Sequence, residues 1–150
     1  MAANPTLQRI TAEGKVLHLL PEGEEVRAEA RHDLNYGPMP LMQADIDEYR
    51  YMITEYVQDL KNPKRDGEKW FTVQKIMTVL CEFVLRVNRE WTGEGKMLFR
   101  LFHRFSTALG DQLEVSLSAM YRQDDPSLLL AFTEQVLSPF GGILLVGYEE

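Results

Sequence analysis

The feature that most constrains this chain is a pair of long apolar stripes at helical spacing, separated by a proline turn. Ile46, Tyr49, Ile53, Tyr56, Val57 and Leu60 recur every three or four residues, which places them along one face of a helix over about Gln43 to Lys61. Asn62-Pro63 ends it, because proline disfavours helical backbone at the residue before it. A second helix is predicted from about Gly67 to Arg89, with Asp66 as its N-cap. Its buried face is Val73, Ile76, Met77, Leu80, Val84 and Val87. Two amphipathic helices joined by so short a turn must pack antiparallel, so a helical bundle is the natural architecture.

The remaining segments extend the same pattern. Glu22 to His32 reads as a short charged helix, followed by the turn-rich stretch Asn35 to Pro40. Trp91-Thr92-Gly93-Glu94-Gly95 breaks the second long helix, and Thr92 is placed to cap a further one carrying Leu98, Leu101, Phe102 and Phe105. Gly110 is read as its end and Asp111 as the start of the next, with Leu113, Leu117, Met120 and Tyr121 inward. Asp125 can cap the last helix, with Pro126 at its first position, where a missing N–H costs nothing. The apolar, glycine-rich tail Phe140 to Tyr148 is expected to fold back onto the bundle.

The fold class that follows is mainly α: an antiparallel bundle of five to six helices preceded by a short N-terminal extended segment. Residues 1–21 form that segment and residues 22–150 the bundle domain with its packed tail. Lys15 to Leu20, apolar and bounded by Gly14 and Pro21, reads as a strand, and a lone strand lacks partners for its backbone groups.

Composition excludes several classes. A net charge of −7 argues against a nucleic-acid backbone as partner, since phosphate binding needs clustered Lys and Arg. An acidic surface suits a cationic ligand or a basic protein instead. No apolar run approaches the roughly 20 residues needed to span a bilayer, and no signal peptide opens the chain, so no membrane partner is expected and the cytoplasm is the default. The single cysteine, Cys81, allows no internal disulfide, and its apolar surroundings mark it as a buried small residue.

Catalytic motifs are lacking. His18, His32 and His103 have no partner at metal-ligating spacing, so no metal site is expected. Arg100 and His103 stand too close for the Arg–His spacing of helical ribonucleases. Asp45 and Asp47 resemble a two-metal pair only by spacing. They open a helix, where negative charge simply stabilises the first turn. Gly93-Glu94-Gly95-Lys96 has the wrong glycine spacing for a phosphate loop, although a helix start near Lys96 and Arg100 could hold an anion.

A series of short motifs stands in order along the chain: Gly14-Lys15-Val16-Leu17, Gly37-Pro38-Met39-Pro40-Leu41, Tyr49-Arg50-Tyr51, Asp59-Leu60 and Arg86. Trp91-Thr92-Gly93-Glu94-Gly95-Lys96 and Val136-Leu137-Ser138-Pro139-Phe140-Gly141-Gly142 complete it. On these the chain resembles the C-terminal helical part of bacterial nucleotidyltransferase-domain proteins of the minimal or aminoglycoside-modifying type. In that family the helical part packs on an α/β catalytic half, which carries a Gly-Ser turn for the triphosphate and paired acids for magnesium. Both are missing here, so no catalytic residue carries over, and Lys15 to Leu20 would be the last strand of the absent half. The resemblance implies a substrate-binding accessory module, not catalytic alone, that needs magnesium and a nucleoside triphosphate only when joined to a catalytic half. Glu94, Lys96, Arg100 and Tyr121 are its candidate ligand-binding residues, for a small cationic or nucleotide ligand. The initiating Met1 points to a genuine reading frame. The alternative is a non-enzymatic interaction module that self-associates through the Gly14–Leu20 edge or the apolar tail.

Overall fold

A computed structural model describes residues 4–14 and 21–144. Among these, seven α-helices and no strand occur: α1 (Thr6–Glu13), α2 (Pro21–Tyr36), α3 (Gln43–Lys61), α4 (Asp66–Val87), α5 (Lys96–Phe105), α6 (Thr107–Gln123) and α7 (Ser127–Leu137), with a 3₁₀ turn at Ser138–Phe140. The six expected helices all form. The seventh is α1, in a stretch that the sequence reading assigned to an extended segment. The expected strand Lys15–Leu20 lies outside the described residues, as does the tail beyond Leu144.

α4 is the centre of the bundle. It buries Val73 and Ile76 on the expected face, and then Val79, Leu80, Cys81, Phe83, Val84 and Leu85 almost without a break. A helix apolar on more than one side must be covered on more than one side. α3, α5 and α7 all pack against it. Phe83 is fully buried, with the Tyr49 ring of α3 at 5.4 Å on one side and the Phe140 ring at 5.0 Å, edge-on, on another. α3 contributes buried Ile53, Val57 and Leu60, with Ile46, Tyr49 and Tyr56 half-buried beside them.

The described part of the tail does fold back. Arg50 of α3 donates from Nε to the Gly142 carbonyl (2.9 Å) and from Nη2 to the Gly141 carbonyl (3.0 Å), while Nη1 pairs with Asp47 (3.0 Å). The Leu144 N–H donates to the Thr54 hydroxyl at 3.0 Å.

α1 and α2 pack on each other, with Arg27 Nη2 donating to the Ala12 carbonyl at 2.7 Å. Hydrogen bonds to the turn after α4 tie this hairpin to the bundle. The Trp91 indole donates to the Leu34 carbonyl (2.8 Å), Arg9 Nη1 to the Thr92 carbonyl (3.2 Å) and Arg89 Nε to the Pro38 carbonyl (3.3 Å). Gly37 ends α2 at φ +81°, where a side chain would be strained and a Cβ would lie 2.8 Å from the Arg89 carbonyl oxygen.

Several boundaries differ from expectation for local reasons. Thr92 does not cap α5: it is buried three residues upstream of the actual N-cap, Gly95. Asp66 is the first residue of α4 rather than its cap, and its carboxylate pairs with Lys69. Gly110 does not end a helix. The break falls at Ser106, whose hydroxyl accepts the Leu109 N–H at 3.2 Å, and Gly110 sits inside α6. A Cβ at Gly110 would lie 2.4 Å from the His103 ring, so glycine is required there by close packing of α5 on α6. Pro126 is the N-cap of α7 rather than its first residue, and Asp125 still receives the Ser127 N–H at 2.9 Å. Tyr121 is not inward: it is 52% exposed, and Met120 takes the buried place.

Removing the ring at the centre should be costly. Phe83→Ala is expected to lower the unfolding free energy by about 3–5 kcal/mol. Phe71→Ala, at an exposed position of the same helix, should stay within about 0.5 kcal/mol. Urea denaturation of both variants checks this, and equal losses would contradict the central role of Phe83.

Candidate functional site

The turn that follows α4 also shapes a cleft between α4, α5 and α6. Gln74, Met77, Thr78, Cys81 and Glu82 stand at three- and four-residue spacing on one face of α4 and form one wall. The Gly93–Gly95 loop with Leu98 and Phe99 of α5 forms the second, and Leu113 with Leu117 of α6 the third. The cavity measures about 460 Å³. Gly93 is buried against α5, where a Cβ would meet the Met97 side chain at 2.8 Å. The loop can therefore lie close to the helix and leave Glu94 at the rim.

The walls are mostly apolar, and two carboxylates interrupt them. Glu82 is the one charged residue within the run Val79 to Leu85. Burial raises its carboxyl above the ordinary value of 4.5; Lys75 and Arg86 oppose this, and Glu94 adds to it. Glu82 and Glu94 thus bring two carboxylates to one largely apolar cleft, with Lys75 and Arg86 the stronger electrostatic influences on Glu82. Cys81 also borders the cleft. Burial pushes its thiol up to about 12, so it is no nucleophile near neutral pH.

Of the four residues singled out from sequence, Glu94 lines this cleft. Lys96, Arg100 and Tyr121 are exposed and are not among its lining residues, so the four do not come together in one site. The residue that sequence reasoning missed is Glu82. Its signal was available: a lone acid inside an apolar run is either paired or placed at a cavity.

The other polar groups have structural roles. Asp45 accepts the Met42 N–H (2.8 Å) and Asp47 accepts from Gln43 and Arg50 (3.0 Å each), which secures the first turns of α3. His103 Nε2 lies 3.0 Å from Asp111, and His32 is exposed; His18 lies outside the described residues. Among the described residues no three His, Cys, Asp or Glu side chains group to hold a metal ion. No described helix is long and apolar enough to cross a membrane.

A second, smaller cavity of about 280 Å³ lies between α3 and α4. Asp45, Glu48, Tyr49 and Met52 line it from one face of α3, and Val79, Glu82 and Arg86 from one face of α4. Arg86 makes no ion pair among the described residues, and its buried Nε–H has no acceptor there. Leaving a buried donor unsatisfied costs about 1–3 kcal/mol, and more for a charged group.

Compared with family models, curated proteins and solved structures, the chain matches none. The resemblance to nucleotidyltransferase C-terminal parts therefore rests on its motifs alone.

The raised Glu82 carboxyl gives a signed pH dependence. The folded state holds this proton more tightly than the unfolded chain. The group's contribution to stability is thus present below the ordinary glutamate value and lost as pH rises through the raised one. Glu82→Gln should leave the thermal midpoint unchanged near about pH 3.5 and raise it near about pH 7. Scanning calorimetry at both values checks this, and a variant less stable at neutral pH would contradict the burial.

Proposed function

We propose that the chain is a cytoplasmic helical substrate-binding module, not catalytic alone, whose α4–α5–α6 cleft holds a small amphipathic cation. The observation that carries this reading is the pairing of Glu82 and Glu94 in one largely apolar cavity. An ammonium group between the two carboxylates would relieve their repulsion, while an apolar body would cover Leu98, Leu113 and Leu117. A nucleoside triphosphate would bring further negative charge to the same place, so the cation is the better fit of the two ligand classes. The net charge of −7 supports the same sign of partner.

The reading also agrees with the resemblance to aminoglycoside-type nucleotidyltransferases. A helical part of this kind would present an amine-bearing substrate to a separate catalytic half, which would supply the magnesium and triphosphate sites. A reading frame directly upstream that encodes a Gly-Ser turn and paired aspartates would support that assignment, and unrelated DNA there would remove it while leaving the cation site standing.

Self-association is the second reading. Leu7 and Ile10, three residues apart on α1, are 73% and 64% exposed and give that helix an apolar outer strip. A mass that rises with concentration, and no longer rises in Leu7→Ser/Ile10→Ser, would favour it.

Calorimetric titration with phenethylamine tests the cleft. Saturable binding is expected, weaker by about tenfold in Glu94→Gln and weaker as pH falls through the raised Glu82 value. ATP should not bind at the same place. Absence of saturation, or equal affinity for the wild type and Glu94→Gln, would overturn the reading.

A further inference from the structure

Lys96 and Arg100, which the α4–α5–α6 cleft leaves out, belong to a different feature of the surface. From Gly95 to Gly110 the chain carries Lys96, Arg100, His103 and Arg104 and no acid, although acids outnumber Lys and Arg 23 to 16 over its whole length. Helical register sets these basic residues on one arc of α5, opposite the buried Leu98 and Phe102. Lys96, Arg100 and Arg104 recur every fourth residue, are exposed, and make no ion pair among the described residues. His103 is paired with Asp111 at 3.0 Å. Glu90 borders a cavity with Arg104 but does not pair with it.

α2 carries the opposite pattern. Glu22, Glu25, Glu29 and Asp33 recur at three- and four-residue spacing, all exposed, on one arc that holds no Lys or Arg. Arg27 lies away from that arc and donates to the Ala12 carbonyl of α1. The four acids make no ion pair among the described residues either. Val26, 54% exposed, stands beside them and offers an apolar contact. Lys96 to Arg104 extends about 12 Å along α5 and Glu22 to Asp33 about 16 Å along α2, so the rows match in length.

Two unpaired rows of opposite sign, each on a helix face that its own molecule leaves open, are complementary to each other. We propose that copies of this chain associate through them, with the α5 row of one copy lying along the α2 row of another. Lys96, Arg100 and Arg104 then face Glu22, Glu25, Glu29 and Asp33. Single exposed ion pairs contribute little, so the association is weak, depends on the rows acting together, and is sensitive to salt. It does not involve the amine cleft. It also differs from the apolar α1 contact through Leu7 and Ile10, which charge screening does not weaken.

Sedimentation equilibrium of the full chain tests this. At about 0.05 M salt the average mass should rise with concentration above that of one chain, and about 0.5 M salt should weaken the association at least about tenfold. Lys96→Glu/Arg100→Glu should remove the rise, and so should Glu25→Lys/Glu29→Lys. All four positions are exposed, so both variants keep the fold. An equal mixture of the two variants should associate again, because the first keeps the α2 row and the second keeps the α5 row. A mixture that stays monomeric, or a wild type that does so at low salt, would overturn the proposal. A rise in mass that salt leaves unchanged and that Leu7→Ser/Ile10→Ser abolishes would also overturn it and assign association to α1. Binding of poly-L-glutamate without self-association would overturn it as well, by giving the α5 face to a different acidic chain.

Discussion

The structure depends on the burial of α4 between Val79 and Leu85. Six of these seven residues are apolar and buried, and they occupy every side of the helix but that of Glu82. No single partner can cover such a surface, so α3, α5 and α7 must surround it, and the chain order of the bundle follows. Phe83 fixes the arrangement further by taking an aromatic neighbour from α3 and another from the returning tail. The hydrogen bonds from Arg50 to Gly141 and Gly142 hold that tail in place, which in turn keeps Phe140 against Phe83.

Glu82 interrupts this buried run, and both cavities open where it does. On one side it meets the Gly93–Gly95 loop with Glu94, and on the other it shares a cavity with Arg86, Tyr49 and Asp45. A carboxylate in the middle of a core helix is destabilising unless it is paired or hydrated. In the proposed reading, an ammonium bound beside Glu82 would offset that cost, so the stability of α4 and amine binding would be linked. The Arg89–Thr92 turn adds a second link. It receives Arg9, donates from Trp91 to α2, and leads directly into the glycine loop that closes the cleft. The α1–α2 hairpin and the cleft thus share one structural element.

Much of this was legible in the residues. The apolar stripe from Ile46 to Leu60, closed by Asn62-Pro63, matches α3 from Gln43 to Lys61, because periodicity and a proline stop act on the same local backbone. The boundaries that moved were governed by tertiary contacts. Gly110 carries the usual sign of a helix end, yet it is small because His103 lies against it. Ser106, an ordinary N-cap type, marks the true break. α1 escaped notice because it is only eight residues long, and its short apolar strip, Leu7 and Ile10, faces outward rather than into the bundle. The site was half legible: Glu94 stood out in its glycine turn, while Lys96, Arg100 and Tyr121 shared its neighbourhood in sequence without joining it in space. Glu82 and Arg86 became meaningful only once α3, α5 and α6 were placed around α4.

The most direct test of the central claim is a ¹³C NMR titration of the Glu82 carboxyl, with and without phenethylamine. The account predicts a titration above the ordinary glutamate range in the free protein and a downward shift when the amine binds. A carboxyl that titrates normally, or one that ignores the amine at saturation, would contradict it.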